Sequence, residues 1–251
     1  MALVFDSLST PLKLRLGLVA LAIVSPYWLG PLRIREKQKR AASPENMELV
    51  NDPAQVPAPL TSFVDQTRRT LESLGFAKTA VLRQRLGVVV LGESADGTIA
   101  SGLALPKPDG TVHSLISYTT QLRGGRKIRT SNSSLPSTTP APKGVEGLRL
   151  PDERDAARLL DIHRRLVARA TRAGAQLQPL SVADPIAYQR REEQSSIAHA
   201  VGCGYWYRRG EQLALTWKGA FLSAWRMLPP WRTLAEQRDR RVAGVLLAAR
   251  G

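Results

Sequence analysis

An α+β fold is the class that this sequence predicts: an N-terminal transmembrane helix, then an antiparallel β-meander of about four strands packed with several helices. Three observations predict it. Leu12–Leu32 is an almost uninterrupted apolar run. From Thr79 to Asn132 apolar residues recur with period two and are punctuated by turn residues. Before and after that stretch the apolar period returns to that of a helix. The chain divides accordingly into a membrane anchor with a basic flank (1–41), a linker (42–60), a helix plus meander (61–150) and a mostly helical basic region (151–251).

The anchor rests on length and flanks. Gly17 to Leu32 carries no charge, and about sixteen residues of helix cover roughly 24 Å. A hydrocarbon core is about 30 Å thick, so the span has to begin at Leu12, with Lys13 and Arg15 snorkelling towards headgroups. Tyr27 and Trp28 fall at the far end, where amphipathic aromatics prefer the interface. Pro26 and Pro31 are expected to kink or end the helix there. Two other readings compete. A cleavable signal lacks its small-residue site, because Ser-Pro-Tyr-Trp-Leu-Gly-Pro follows Val24. A buried or surface-lying helix is compatible with so short an apolar run.

Cations set the expected orientation. Lys13 and Arg15 precede the run, whereas Arg33, Arg35, Lys37, Lys39 and Arg40 follow it, which places the long C-terminal part in the cytoplasm by the positive-inside rule. A single cysteine, Cys203, agrees with a reducing compartment. Asn132-Ser133-Ser134 matches a glycosylation acceptor and is read as chance in a cytoplasmic domain.

The net charge is +15, about +5 of it in residues 1–40 and about +7 in residues 151–251. Such a balance favours anionic partners, and beside an anchor the simplest of these is a lipid bilayer with anionic headgroups. Nucleic acid is a less favoured partner.

Residues 41–60 hold Pro44, Pro53, Pro57 and Pro59 and no periodic apolar face, hence the linker. A helix over Ser62–Leu74 is expected, capped by Thr61 or Ser62 and stopped by Gly75. The strands follow: Leu86–Leu91, then Ile99–Leu105, then Val112–Leu122. They are separated by Ala95-Asp96-Gly97, Pro108-Asp109-Gly110 and Gly124-Gly125, the turn chemistry of hairpins. One face is expected to be packed and the other wet. A proline-rich connection covers residues 134–147. A long helix opens at Pro151-Asp152-Glu153-Arg154-Asp155 with its acids on the positive dipole end, and Gly174 closes it. A second runs from Asp184-Pro185 to about Val201. A small hairpin (Tyr205–Tyr207 with Leu213–Trp217), a helix broken by Pro229-Pro230, and a last basic helix (Leu234–Ala249) complete the chain.

Chemistry is thinly signed. His113, His163 and His199 lie on three different elements without a second ligand at metal spacing, so each reads as a packed or surface histidine. Cys203 reads as an inert thiol. Glu93 and Asp96 flank a turn and are expected to be solvated rather than a general acid–base pair. Asp161 and Arg165 form an i,i+4 pair. There is no dinucleotide fingerprint, phosphate loop or nucleophile elbow. No catalytic residue, cofactor or metal is therefore assigned, and a non-enzyme is favoured over an enzyme with an unsignatured pocket near His113.

Arg123-Gly124-Gly125-Arg126-Lys127-Ile128-Arg129 is the candidate anionic-ligand contact, through Arg123, Arg126, Lys127 and Arg129. Its plainer reading is a glycine turn dressed with solubilising charge. The tryptophans Trp217, Trp225 and Trp231, beside Lys218, Arg226 and Arg232, read first as a core stripe and second as an interfacial surface lying on a membrane. The order helix–hairpin–helix over Asp184–Leu228, with Leu213-Ala-Leu215-Thr216-Trp217-Lys218-Gly219 passing from strand to helix, resembles part of a winged-helix module. That resemblance implies a nucleic-acid-binding or regulatory role. Helix 184–201 departs from the pattern, because Arg190-Arg191 is followed by Glu192-Glu193 and no recognition helix stands out. The expected role is binding or structural, at a membrane.

Overall fold

Gly97, Gly110 and Gly124 adopt positive φ at the turns between strands, and the chain between them forms a sheet. The computed structural model describes residues 10–249 apart from 45, 86 and 108. Leu86 and Pro108, the expected start of one strand and of one turn, therefore lie outside the described residues. Seven strands form the main sheet in sequential order: β2 (Glu48–Leu49), β3 (Phe76–Gln84), β4 (Gly87–Ser94), β5 (Ile99–Pro106), β6 (Val112–Gln121), β7 (Lys127–Ser131) and β8 (Val145–Arg149). Every pairing is antiparallel except β7 with β8, which is parallel. The sheet is thus mixed and larger than the four-stranded meander expected. The three additions are β2 from the linker, β3 ahead of the expected first strand, and β8 from the end of the proline-rich connection. Parallel pairing needs a crossover of about a dozen residues, which residues 132–144 supply without a helix.

One face of this sheet is sealed. Val88 and Val90 of β4, Ala100 and Ala104 of β5, Tyr118 of β6 and Ile128 of β7 are buried under three helices. These are α2 (Ala58–Ser73), α3 (Ala156–Arg172) and α6 (Trp231–Ala248). α2 starts one turn earlier than expected, because Pro59 in its first turn presets the N-terminus and no side-chain cap is used. α3 starts later than Pro151. The Asp155 carboxylate accepts from the Ala157 N–H at 2.8 Å and so caps it. Arg165 ties α3 to α6 by donating to the carbonyls of Leu246 and Ala249.

Residues 42–60 are partly ordered into this body, with Ala42, Met47 and Val56 buried. A second, three-stranded sheet has the order β1–β10–β9, where β1 is Lys39–Ala41, β9 Trp206–Arg209 and β10 Gln212–Leu215. Between the sheets runs α4 (Pro185–Gly202), capped by the Asp184 carboxylate on the Ala187 N–H at 2.9 Å. α5 (Trp217–Met227) follows β10.

The expected transmembrane span is not present. α1 (Thr10–Lys37) is a 28-residue helix, yet no helix among the described residues is long and apolar enough to cross a membrane. Ser25, Pro26, Gly30 and Pro31 dilute its apolar content, and any window of the roughly 20 residues a bilayer needs takes in charge at one end or the other. The prolines do not end it either, since the helix runs through both to Lys37. Its C-terminal half packs against α5 instead. A single-pass topology, and the orientation argued from it, are withdrawn with the span.

Candidate functional site

α5 is built inside out. Thr216 caps it, its Oγ1 accepting from the Gly219 N–H at 2.8 Å. The residues it buries are small: Gly219, Ala220, Ser223 and Ala224. Gly219 is required, because a Cβ there would stand 2.0 Å from the Tyr205 carbonyl oxygen. Ser223 donates from Oγ to the Thr138 carbonyl at 3.1 Å, pinning the proline-rich connection. The large residues face outward, with Trp217 48 %, Phe221 42 % and Trp225 46 % exposed. The tryptophans expected first as a core stripe are therefore on the surface.

α1 and α6 extend this face. Tyr27 meets Trp225 edge-on at 5.7 Å, and Trp225 lies 5.5 Å from Trp231. Trp28 meets Phe221 at 6.3 Å, and Phe221 lies 6.4 Å from Trp217. Arg35 closes the chain of contacts, its guanidinium 4.3 Å from the centre of the Trp217 ring. Trp28 is 65 % exposed, and Leu29, Leu32 and Leu234 are exposed beside it. Arg33 and Lys218 are exposed on the same helices. Of the expected anchor flank, Tyr27, Trp28 and Arg35 thus belong to this aromatic face, and Arg33 stands on another side of the same helix. Arg15 is exposed further back on α1; the Lys13 side chain lies outside the described residues.

A second concave feature lies on the other face of the main sheet. α4 covers part of that face, where Tyr188 is buried with Leu82, Val89, Leu91 and Ile99. Burial holds the Tyr188 hydroxyl protonated, its pKa well above the ordinary value. Further along α4 a cleft of about 520 Å³ opens between helix and sheet. Ser101, Ser117 and Thr119 line its floor; Glu192 and Glu193 come from α4, and Lys127, Arg129 and Arg40 from strand ends. Lys127 pairs with Glu192, which also takes Arg129 at 3.2 Å. Arg40 pairs with Glu193 at 2.6 Å. A broader groove adjoins it, sharing Arg40, Gln84, Leu103 and Glu193, with Lys37 and Lys39 on its wall.

The basic run is thereby split. Arg123–Gly125 is a 3-10 turn, and Arg123 and Arg126 point to solvent. Lys127 and Arg129, two apart on β7, share the cleft face, while Ile128 between them is buried.

The remaining candidates are structural. His163 is fully buried, with Nε2 2.9 Å from Thr120 Oγ1 and Nδ1 3.0 Å from Thr130 Oγ1. Thr120 continues the chain to Thr98 at 2.9 Å. Burial lowers the His163 pKa to about 4, so the ring is neutral. His199 donates to the Pro140 carbonyl at 3.2 Å, and Cys203, only half-buried, lies 3.5 Å from the same ring nitrogen. His113 is on β6 opposite Leu105, outside the cleft; its buried Nε2 has no partner among the described residues.

Glu93 accepts from the Val182 N–H at 2.9 Å. Asp96 accepts from Ser94 and Thr98. Burial works to raise its pKa, and those hydrogen bonds outweigh burial and hold it below the ordinary value. The two carboxylates therefore serve separate turns. Asp161 and Arg165 pair at 2.9 Å. The Asn132 amide is consumed internally, accepting from the Ile116 N–H and donating to the Glu153 carbonyl. No cluster of three metal-ligating side chains occurs among the described residues.

No family model matches the chain, and no curated protein or solved structure is similar to it. The winged-helix likeness thus stands on the order of elements alone. α4 pairs Glu192 with Lys127 of the main sheet and Glu193 with Arg40 of the second sheet, so the helix is docked between them instead of standing free. The cleft residues Ser101, Ser117, Glu192 and Glu193 were not singled out from sequence. Their signal was present: Ser101 and Ser117 stand at alternation positions beside Ile99, Leu103 and Leu115, and two consecutive acids follow two arginines on one helix.

Proposed function

We propose that the protein binds the surface of an anionic bilayer through the aromatic face of α1, α5 and α6, lying on the membrane without crossing it. The observation that carries this is the outward orientation of Trp217, Phe221 and Trp225 on a helix that buries only small residues. Contiguous exposed aromatics of this kind mark an interaction surface. Tryptophan favours the headgroup boundary, where the ring is dehydrated and the indole N–H keeps a partner.

Charge selects the occupant. Arg33, Arg35 and Lys218 stand on the same helices, in a chain of net charge +15. Each basic residue near an anionic surface adds about 1 kcal/mol, whereas an apolar protein partner gains nothing from them. Aromatic insertion and basic attraction are the two signals that stable surface attachment requires.

Vesicle sedimentation of the full chain tests this. Vesicles of phosphatidylcholine containing phosphatidylglycerol are expected to carry the protein down and shift tryptophan emission to the blue, and pure phosphatidylcholine to bind it weakly. Alkaline carbonate is expected to release it. A triple variant Trp217→Ala, Phe221→Ala, Trp225→Ala that binds as well as the parent would overturn the proposal. So would a concentration-dependent dimer that covers these residues in the absence of lipid.

A further inference from the structure

The cleft between the main sheet and α4 is independent of the aromatic face and has its own chemistry. Its volume, about 520 Å³, lies within the range of small-molecule sites, about 300–1,000 Å³. Ser101 and Ser117 are direct cross-strand partners on β5 and β6, and Ser131 on β7 continues the row. Of these, Ser101 and Ser117 line the floor of the cleft. Both are half-buried, and their hydroxyls make no hydrogen bond to any described residue. Half-buried hydroxyls without a protein partner are satisfied from the cleft itself.

The walls add charge. Lys127 and Arg129 both spend their charge on Glu192, while Lys143 lines the cleft with no ion pair among the described residues. Counting Arg40 and Glu193, cations outnumber carboxylates, so the cleft attracts an anion. Glu192 remains as an acceptor for a ligand hydroxyl, since a carboxylate has more acceptor sites than its two ion pairs use. Leu103 and Leu115 supply an apolar strip against which the carbon face of a ring can rest.

The geometry points to a small polyhydroxylated organic anion, of the sugar phosphate or sugar acid class, as the ligand of this cleft. Its anionic group takes Lys127, Arg129 and Lys143; its hydroxyls take Ser101, Ser117 and Glu192. A phosphorylated inositol headgroup presents the same chemistry on a lipid, so the experiment separates free from lipid-borne ligand.

Calorimetry on the full chain uses glucose 6-phosphate, glucose and inorganic phosphate as probes. Glucose 6-phosphate is expected to bind at least about tenfold tighter than either of the others, because both charge and hydroxyl contacts are needed. Ser117→Ala, a small change that leaves the fold intact, is expected to weaken glucose 6-phosphate and leave inorganic phosphate unchanged. Lys127→Ala is expected to weaken both. If phosphatidylinositol phosphate vesicles show the same Ser117→Ala loss and glucose 6-phosphate does not bind, the ligand is the headgroup and the cleft assignment holds. No binding of either form overturns it. Equal binding of inorganic phosphate and glucose 6-phosphate also overturns it, leaving a non-selective cationic surface. The aromatic triple variant is expected to bind glucose 6-phosphate normally, so failure of one proposal does not imply failure of the other.

Discussion

α3 and α5 are both amphipathic helices, and they use their apolar residues in opposite ways. α3 buries Leu159, Leu160, Ile162 and Leu166 and turns its arginines outward. α5 buries glycine, alanine and serine and turns tryptophan and phenylalanine outward. Periodicity identifies an apolar stripe in each; it does not say whether protein covers that stripe. The difference lies in the neighbours. α3 meets a sheet face of β-branched and aromatic side chains, which large residues fill. α5 passes so close to the Tyr205 backbone that only small residues fit on that side, and its bulk is forced to the other.

Leu166→Ala should break the first half of this comparison most severely. Truncating a fully buried leucine costs about 2–5 kcal/mol, which chemical denaturation would register as a large drop in midpoint. Beside it, His163 makes the α3 side acid-sensitive. Its folded pKa, lowered to about 4, lies below the unfolded value near 6.5, so the unfolded chain takes up the proton first. Stability is therefore full above pH 6.5 and falls as the pH drops towards 4, by an amount on the order of 3 kcal/mol. Denaturation curves across that window should show the slope, and His163→Gln should flatten it.

Gly219→Ala tests the close approach of α5. Overpacking of this kind costs about 1–3 kcal/mol, and loosening of the helix would appear as faster amide exchange over Trp217–Met227. Trp225→Ala should do least to the fold. Its half-exposed ring touches Tyr27 and Trp231, surface pairs of about 0.5–1.5 kcal/mol, so the midpoint should fall less than for Leu166→Ala while vesicle binding is lost. A stability loss like that of Leu166→Ala would mean that Trp225 is packed, and the contrast between the helices would collapse.

These contrasts mark what was legible beforehand. The α+β class was, because alternation and turn residues act locally: Asp96-Gly97 and Asp109-Gly110 sit at hairpin turns, and Asp184 caps α4. What failed depends on distant partners. The apolar run of α1 looks like a span until Pro26 and Pro31 are seen inside a continuous helix whose side chains stack on α5. β8 joins the sheet in parallel because residues 132–144 carry the chain back across it, which composition does not encode. In the candidate site, Lys127 and Arg129 were visible as cations, but their partner Glu192 lies more than sixty residues away. Consecutive acids on a helix gain meaning only once the surface they face is known.

The three-stranded sheet joins β1, next to α1, to a hairpin near the other end of the chain. Ala41 and its partner Gln212 are about 170 residues apart, which a ribosome adding about 5–20 residues per second takes roughly 10–30 s to cover. Throughout that interval α1 has been made and α5, which covers one side of it, has not. The nascent chain therefore carries an uncovered apolar helix, followed by a cluster of cations, for most of its synthesis. Whatever meets that helix first does so before the protein has closed around it.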